Sequence, residues 1–257
     1  MTVLVTGCAG SIGSALMQRL PTYGWDVVGL DRTPEADLVA DITSPSDLDA
    51  AMADVTAVVH LAGQSTEAPW PVVREANIEG TFQLFEAARR SGVQRIVYAS
   101  SNHATGFTPV AQGLPADAPA RPDTLYGVSK VFGEALARYY VDRYGLQVAC
   151  IRIGTFAPTP PDRRSLSTWL SPDDCARLVD ACLRAPQLGY AVVWGISHNT
   201  RRTWSLDEAV ALGYDPRDDA EEWAEQLPDD VEYPSDALVG GGFTSPGFGI
   251  DAVAARS

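Results

Sequence analysis

The chain of 257 residues contains a single lysine, Lys130. Every other member of its 19 basic residues is arginine, and 33 acidic residues bring the formal charge to −14 at pH 7. A shortage of positive charge on this scale argues against nucleic acid and anionic membranes as partners. No apolar run approaches the ~20 residues needed to cross a bilayer, so no membrane partner is expected. The opening Met1-Thr2-Val3-Leu4-Val5-Thr6-Gly7 has no basic segment followed by an apolar one, and no signal peptide is expected. The four cysteines, Cys8, Cys150, Cys175 and Cys182, show no Cys-x-x-Cys spacing. They read as reduced, mostly buried thiols of a cytoplasmic protein, and no metal site is expected. Internal repeats and low-complexity segments are also missing.

What is present alternates strand and helix from the first residue. Residues 3–6, 27–30, 57–60, 95–99 and 148–153 read as strands, rich in β-branched residues and short. Between them lie helical segments over 11–20 (stopped by Pro21), after the Ser44-Pro45 cap, over 75–90 (ended by Ser91-Gly92) and over 123–144 (closed by Gly145). This alternation predicts an α/β fold: a Rossmann-type, doubly wound parallel sheet with helices on both faces. After Gly154 the regularity fades. Ser171-Pro172 opens one more helix, 190–194 reads as a strand, Ser205-x-x-Glu208 as a capping box, and the tail from Pro228, with Gly240-Gly241-Gly242, as loose. The expected organisation is a nucleotide-binding core over 1–155 and a small substrate-side lobe and tail over 156–257, packed as one globular unit.

The first strand runs into Thr6-Gly7-Cys8-Ala9-Gly10-Ser11-Ile12-Gly13. Gly7, Gly10 and Gly13 recur where a strand turns into a helix, and a turn without Cβ atoms lets a pyrophosphate approach the N–H groups of Ser11 and Ile12. Asp31, at the end of the second strand, suits the adenosine ribose hydroxyls and repels a 2′-phosphate, which points to NAD rather than NADP. Arg32 beside it would tolerate that phosphate. Asp41 and Ile42 are placed to flank the adenine. Leu61, Ala62 and Gly63 offer small residues for close approach of the cofactor, whereas His60 reads as a satisfied core histidine.

The fifth strand ends in Ser100-Ser101-Asn102-His103, and ligands of open parallel sheets sit beyond such strand ends. Ser101 lies 25 residues before Tyr126. Tyr126 and Lys130 stand four apart and share a helix face. The ammonium is expected to lower the phenol's pKa from about 10 towards neutrality, which makes Tyr126 a general base with Ser101 orienting the reacting oxygen. The plainer alternatives are a surface Tyr–Lys pair and a serine that caps a turn.

The glycine turn, Asp31, His60-Leu61-Ala62-Gly63, Ser100-Ser101 and Tyr126-x-x-x-Lys130 together resemble the extended short-chain dehydrogenase/reductase family with its nucleotide-sugar epimerase branch, over at least the first 155 residues. A finer resemblance spans nearly the whole chain. Ser100-Ser101-Asn102-His103, Arg152-Ile153-Gly154-Thr155, the stretch from Arg164 to Ser171, and Val192-Val193-Trp194-Gly195 are similar to the branch that oxidises uronic acids. The resemblance implies NAD-dependent oxidation of D-glucuronate or D-galacturonate at C1 of the cyclic sugar to an aldarolactone. It implies Tyr126 as base, Lys130 on the nicotinamide ribose, and Ser101 on the C1 oxygen. Ser100 and Ile153 join the cofactor set. Ser65, Asn102, His103 and Thr155 (where serine is the residue to expect) join the substrate set. Arg164 grips the C6 carboxylate, although spacing alone does not separate it from Arg163. Trp169 and Trp194 read as packing residues. Two rival readings are a nucleotide-sugar epimerase or dehydratase, for which the short lobe offers little to hold a nucleoside diphosphate, and a non-catalytic dinucleotide-binding regulator. A homo-oligomer is expected on general grounds.

Overall fold

The first five-residue strand, β1 (Thr2–Thr6), has Val3, Leu4, Val5 and Thr6 wholly buried. A strand buried on both faces belongs in the middle of a helix-covered parallel sheet. The computed structural model, which describes residues 1–227 and 237–254, places it there. Around it stand β2 (Asp26–Asp31), β3 (Leu38–Val39), β4 (Ala57–His60), β5 (Arg95–Ser101) and β6 (Gln147–Ile153). β7 (Thr155–Phe156) and β8 (Trp169–Leu170) form a separate pair, and β9 (Tyr190–Gly195) returns to the main sheet. The order is β3-β2-β1-β4-β5-β6-β9, parallel throughout. The chain reverses direction of winding between β1 and β4, and that switch opens a crevice beyond the carboxyl ends of the strands.

The helices are α1 (Ser11–Arg19), α2 (Pro45–Ala51), α3 (Trp70–Val73), α4 (Gly80–Ser91), α5 (Leu125–Tyr144), α6 (Ser165–Thr168), α7 (Pro172–Arg184), α8 (Asp207–Ala211) and α9 (Ile250–Ala254). Leu16 of α1 and Leu178 of α7 pack with Val3, Val5 and Val97 on one face of the sheet. Leu48, Leu84, Phe85 and Tyr140 of α2, α4 and α5 pack with Leu4, Ile96 and Val148 on the other. The doubly wound arrangement expected from the alternation is therefore present. Residues 172–195, beyond the regular first part of the chain, supply α7 and the seventh strand of the same sheet.

Several local expectations differ. The helix expected over 75–90 begins earlier, at Trp70, and widens into a π turn over Arg74–Glu79. The wide turn brings Asn77 inward, where its side chain bonds Gln64 N (2.7 Å), Gln64 O (3.0 Å) and Ser129 Oγ (2.9 Å). α5 starts at Leu125 because Thr124 caps it, accepting from Gly127 N at 3.0 Å, which leaves Asp123 outside the helix. The capping box at 205–208 does not form. Ser205 Oγ accepts from Asp207 N, while Glu208 is drawn to Ala116 N (3.1 Å) in another loop. Of the tail expected to be loose, Pro228 to 236 and 255–257 lie outside the described residues. The part from 237 is pinned: Val110 N donates to Ala237 O, Val239 N to Thr108 O and Gly240 N to Gly106 O.

Candidate active site

The glycine turn is built as its composition requires. Gly7 has φ +73°, and a Cβ there would lie 2.8 Å from Ala62 N; a Cβ on Gly13 would lie 2.1 Å from Gly7 O. Only hydrogens fit, so α1 packs directly on the turn. Gly10 occupies the N-cap and provides no side-chain cap, which leaves the first amides of α1 free of a side-chain competitor for an anion. Asp31 at the end of β2 faces this turn, its carboxylate accepting from Ala9 N (3.1 Å) and Arg32 N (2.7 Å). Asp41 accepts from Thr43 N and Oγ1, both at 2.8 Å, and these bonds hold its carboxyl below the usual range. A glycine cradle, an uncapped helix start and a strand-end carboxylate fit the pyrophosphate and ribose of NAD.

His60 is a core residue, as expected. Its ring nitrogens bond Thr6 Oγ1 (2.8 Å) and Thr81 Oγ1 (3.2 Å), and burial drives its pKa down to about 3.

The reacting groups converge at the ends of β5 and α5. Tyr126 is 7% exposed. Burial pushes its phenol up to about 12; the Ser101 hydroxyl favours the phenolate and the Asp123 carboxylate opposes it. This reverses the direction expected from the sequence. Lys130 is buried as well, brought down to about 8 by burial despite the Glu134 carboxylate, and its Nζ donates to Ala99 O at 2.9 Å. The ammonium stands 5.4 Å from the centre of the Tyr126 ring. Loss of water around the phenol is the largest influence on it.

Nineteen sequence-predicted residues line one cleft of about 650 Å³. They are Gly7, Gly10, Ser11, Ile12, Gly13, Asp31, Asp41, Ile42, Leu61, Ala62, Gly63, Ser65, Ser100, Ser101, Asn102, His103, Tyr126, Lys130 and Ile153. Thr155 and Arg164 stand just behind it, Thr155 between the lining residues Gly154 and Phe156. Arg164 Nη1 donates to Thr155 Oγ1 (3.3 Å) and Nη2 to Val239 O (2.8 Å). Val239 O also accepts from Asn102 Nδ2 at 3.0 Å.

Sequence reasoning missed the supporting groups. Glu134 lies four residues beyond Lys130 and binds Arg152 through two bonds (2.9 and 2.8 Å) and Ser100 Oγ through a third (2.5 Å). Its spacing from Tyr126 and Lys130 was a usable signal. Glu67, which accepts from Tyr126 N at 2.7 Å, and Asp123, which binds the His103 ring, gave none.

A switch-point crevice with a glycine turn at one end and a Ser-Tyr-Lys set at the other defines a dinucleotide-dependent enzyme class. The NAD dependent epimerase/dehydratase family matches over residues 3–171, and the chain belongs to that family. It is 42% identical over 247 residues to uronate dehydrogenase of Agrobacterium fabrum, covering 92% of this chain and 93% of that protein. It is 39% identical to the NAD-dependent glucose-6-phosphate dehydrogenase of Haloferax volcanii, covering 86% and 95%. Among solved structures, a mutant uronate dehydrogenase from Agrobacterium tumefaciens complexed with NAD superposes with a TM-score of 0.87 at 39% identity, over 95% and 96% of the two chains.

Proposed function

We propose that the protein oxidises hexuronic acids, D-glucuronate and D-galacturonate, at C1 to the aldarolactone, with NAD as oxidant. The observation that carries this reading is Tyr126. It is nearly buried, yet it opens on the same cleft as the glycine turn, with Ser101 and Lys130 beside it. NAD would supply the hydride acceptor, and its nicotinamide cation would favour the phenolate. Tyr126 then takes the C1 hydroxyl proton while Ser101 holds the C1 oxygen. Lys130, which lines the same cleft, would bind the nicotinamide ribose. Gly7, Gly10 and Gly13, with Ser11 and Ile12, would hold the pyrophosphate, and Asp31 would hold the adenosine ribose. Ser65, Asn102, His103 and Thr155 orient the sugar, and Arg164 takes its C6 carboxylate. Residues 156–257 serve as the substrate side of this arrangement through Arg164 and Val239.

The names of the relatives support the substrate class. One observation favours a second reading, the Haloferax relative at similar identity. Uronate and glucose 6-phosphate both carry an anion at C6 and an anomeric hydroxyl, so the same chemistry serves either. We place the protein in the cytoplasm as a homo-oligomer; all four cysteines are free and buried, and no helix among the described residues is long and apolar enough to cross a membrane.

The test is NADH formation with free uronates, glucose 6-phosphate, neutral aldoses and UDP-sugars. Uronates are expected to turn over with the highest kcat/KM. Preference for the phosphate selects the second reading, and UDP-sugar interconversion without net NADH selects an epimerase. Arg164→Ala is expected to raise KM for uronates at least tenfold more than for neutral aldoses, on the order of one charge-assisted pair.

A further inference from the structure

His103 lines the cleft, but its Nδ1 is turned away from it, 2.8 Å from Asp123 Oδ2. The Asp123 side chain has no exposed surface. Its surroundings leave room for nothing else: a Cβ on Gly240 would lie 1.8 Å from Oδ2, and one on Gly106 would lie 2.0 Å from it. The other oxygen, Oδ1, accepts from Thr124 Oγ1 at 3.0 Å. That hydroxyl in turn accepts from Gly127 N at 3.0 Å. Phe243 stacks on the imidazole at 4.2 Å between ring centres, and Tyr126 meets it edge-on at 5.9 Å. The ring is held on its face, its edge and one nitrogen.

We propose that Asp123 is a positioning residue that fixes the His103 tautomer. A carboxylate only accepts, so the neutral imidazole must carry its proton on Nδ1, and Nε2 is then an acceptor presented to the cleft. A sugar hydroxyl that meets Nε2 must donate. His103 thus selects for a hydroxyl and against any group at that ring position that cannot give a proton. The role rests on the uronate reading above only for the identity of the sugar.

Asp123→Asn tests it with little change of shape. Thr124 Oγ1 donates to Oδ1 in the wild type, and an amide oxygen on that side keeps this bond. The amide NH2 then faces His103 Nδ1, which must accept, and the proton moves to Nε2. Long-range 1H–15N spectra report this directly, and only three histidines contribute. At a pH where imidazole is neutral, wild-type His103 is expected as the Nδ1–H form and the variant as the Nε2–H form, with His60 and His198 unmoved. In kinetics, a deoxyfluoro uronate, whose fluorine accepts but cannot donate, should show a penalty of about tenfold at one ring position in the wild type. That penalty, read as the ratio of kcat/KM for the parent and deoxyfluoro sugars on the same protein, should collapse in Asp123→Asn.

A wild-type ring protonated on Nε2, or on both nitrogens, overturns the proposal without need of any variant. A tautomer that stays Nδ1–H in Asp123→Leu, which offers the ring no acceptor, or a fluorine penalty that survives the move of the proton to Nε2, overturns it too. If the wild type turns over no uronate, the proposed activity fails, yet the spectra still decide the role of Asp123.

Discussion

At the scale of single residues, the site depends on a phenol that its surroundings hold protonated. Burial takes Tyr126 up to about 12 and Lys130 down to about 8. Tyr126→Phe is expected to lower kcat by at least about a thousandfold while NAD binding, followed by fluorescence titration, stays within a factor of two or so. His60 leads to a different expectation. Its pKa falls from an ordinary 6.5 to about 3 in the folded chain, so the folded state refuses a proton that the unfolded state accepts. The associated stability is complete above pH 6.5 and drains away as the pH falls towards 3, up to roughly 4 kcal/mol. Denaturant unfolding of the wild type and His60→Asn across that window should show the steeper acid loss in the wild type. The tyrosine, lysine and serine were legible because their spacing is a chemical statement in itself. The sign of the phenol's shift was not, because burial belongs to the fold and not to the spacing.

At the scale of elements, α5 carries the chemistry on one face: Tyr126, Lys130 and Glu134 at intervals of four, all buried. Glu134 ties that face to β6 through Arg152 and to β5 through Ser100. Arg152 also donates to Ala116 O (2.7 Å) and Ala118 O (2.8 Å), anchoring the loop before α5. Arg152→Met leaves a buried carboxylate without its cation and should cost about 3–5 kcal/mol in unfolding free energy. Adding Glu134→Leu should recover much of that loss, since the charge needing compensation is gone. The strands and long helices were readable from period and caps. The π turn around Asn77 was not, because its cause is a partner 13 residues back in sequence at Gln64. The box at 205–208 failed for the same kind of reason, with Glu208 claimed by Ala116.

At the scale of the whole molecule, a formal charge of −14 surrounds a site meant for an anionic sugar and an anionic cofactor. Raising ionic strength from about 10 mM to about 150 mM contracts the screening length from ~30 to ~8 Å. We expect kcat/KM for uronates to rise over that range in stopped-flow or steady-state assays, with neutral aldoses little affected. A fall would mean that the local field of Arg164 already outweighs the global one. The sequence made the parallel sheet plain and assigned the last hundred residues to a small lobe, of which β9 joins the main sheet. Nothing in the pattern of Val192-Val193-Trp194 tells whether such a strand founds a new layer or closes an old one. Register with β6 decides it, Cys150 opposite Val192 and Arg152 opposite Trp194.

The carbonyl of Val239 holds a residue from the middle of the chain, Asn102, and one from much later, Arg164. On the reading proposed above, the residues for the dinucleotide are complete by residue 153, whereas Arg164 on the sugar side is held by a carbonyl from the last tenth of the polypeptide. On that reading, a molecule clipped ahead of Ala237 is expected to keep its coenzyme and the sugar contacts of Ser65 and His103 but to lose the carbonyl that steadies Arg164 and Asn102.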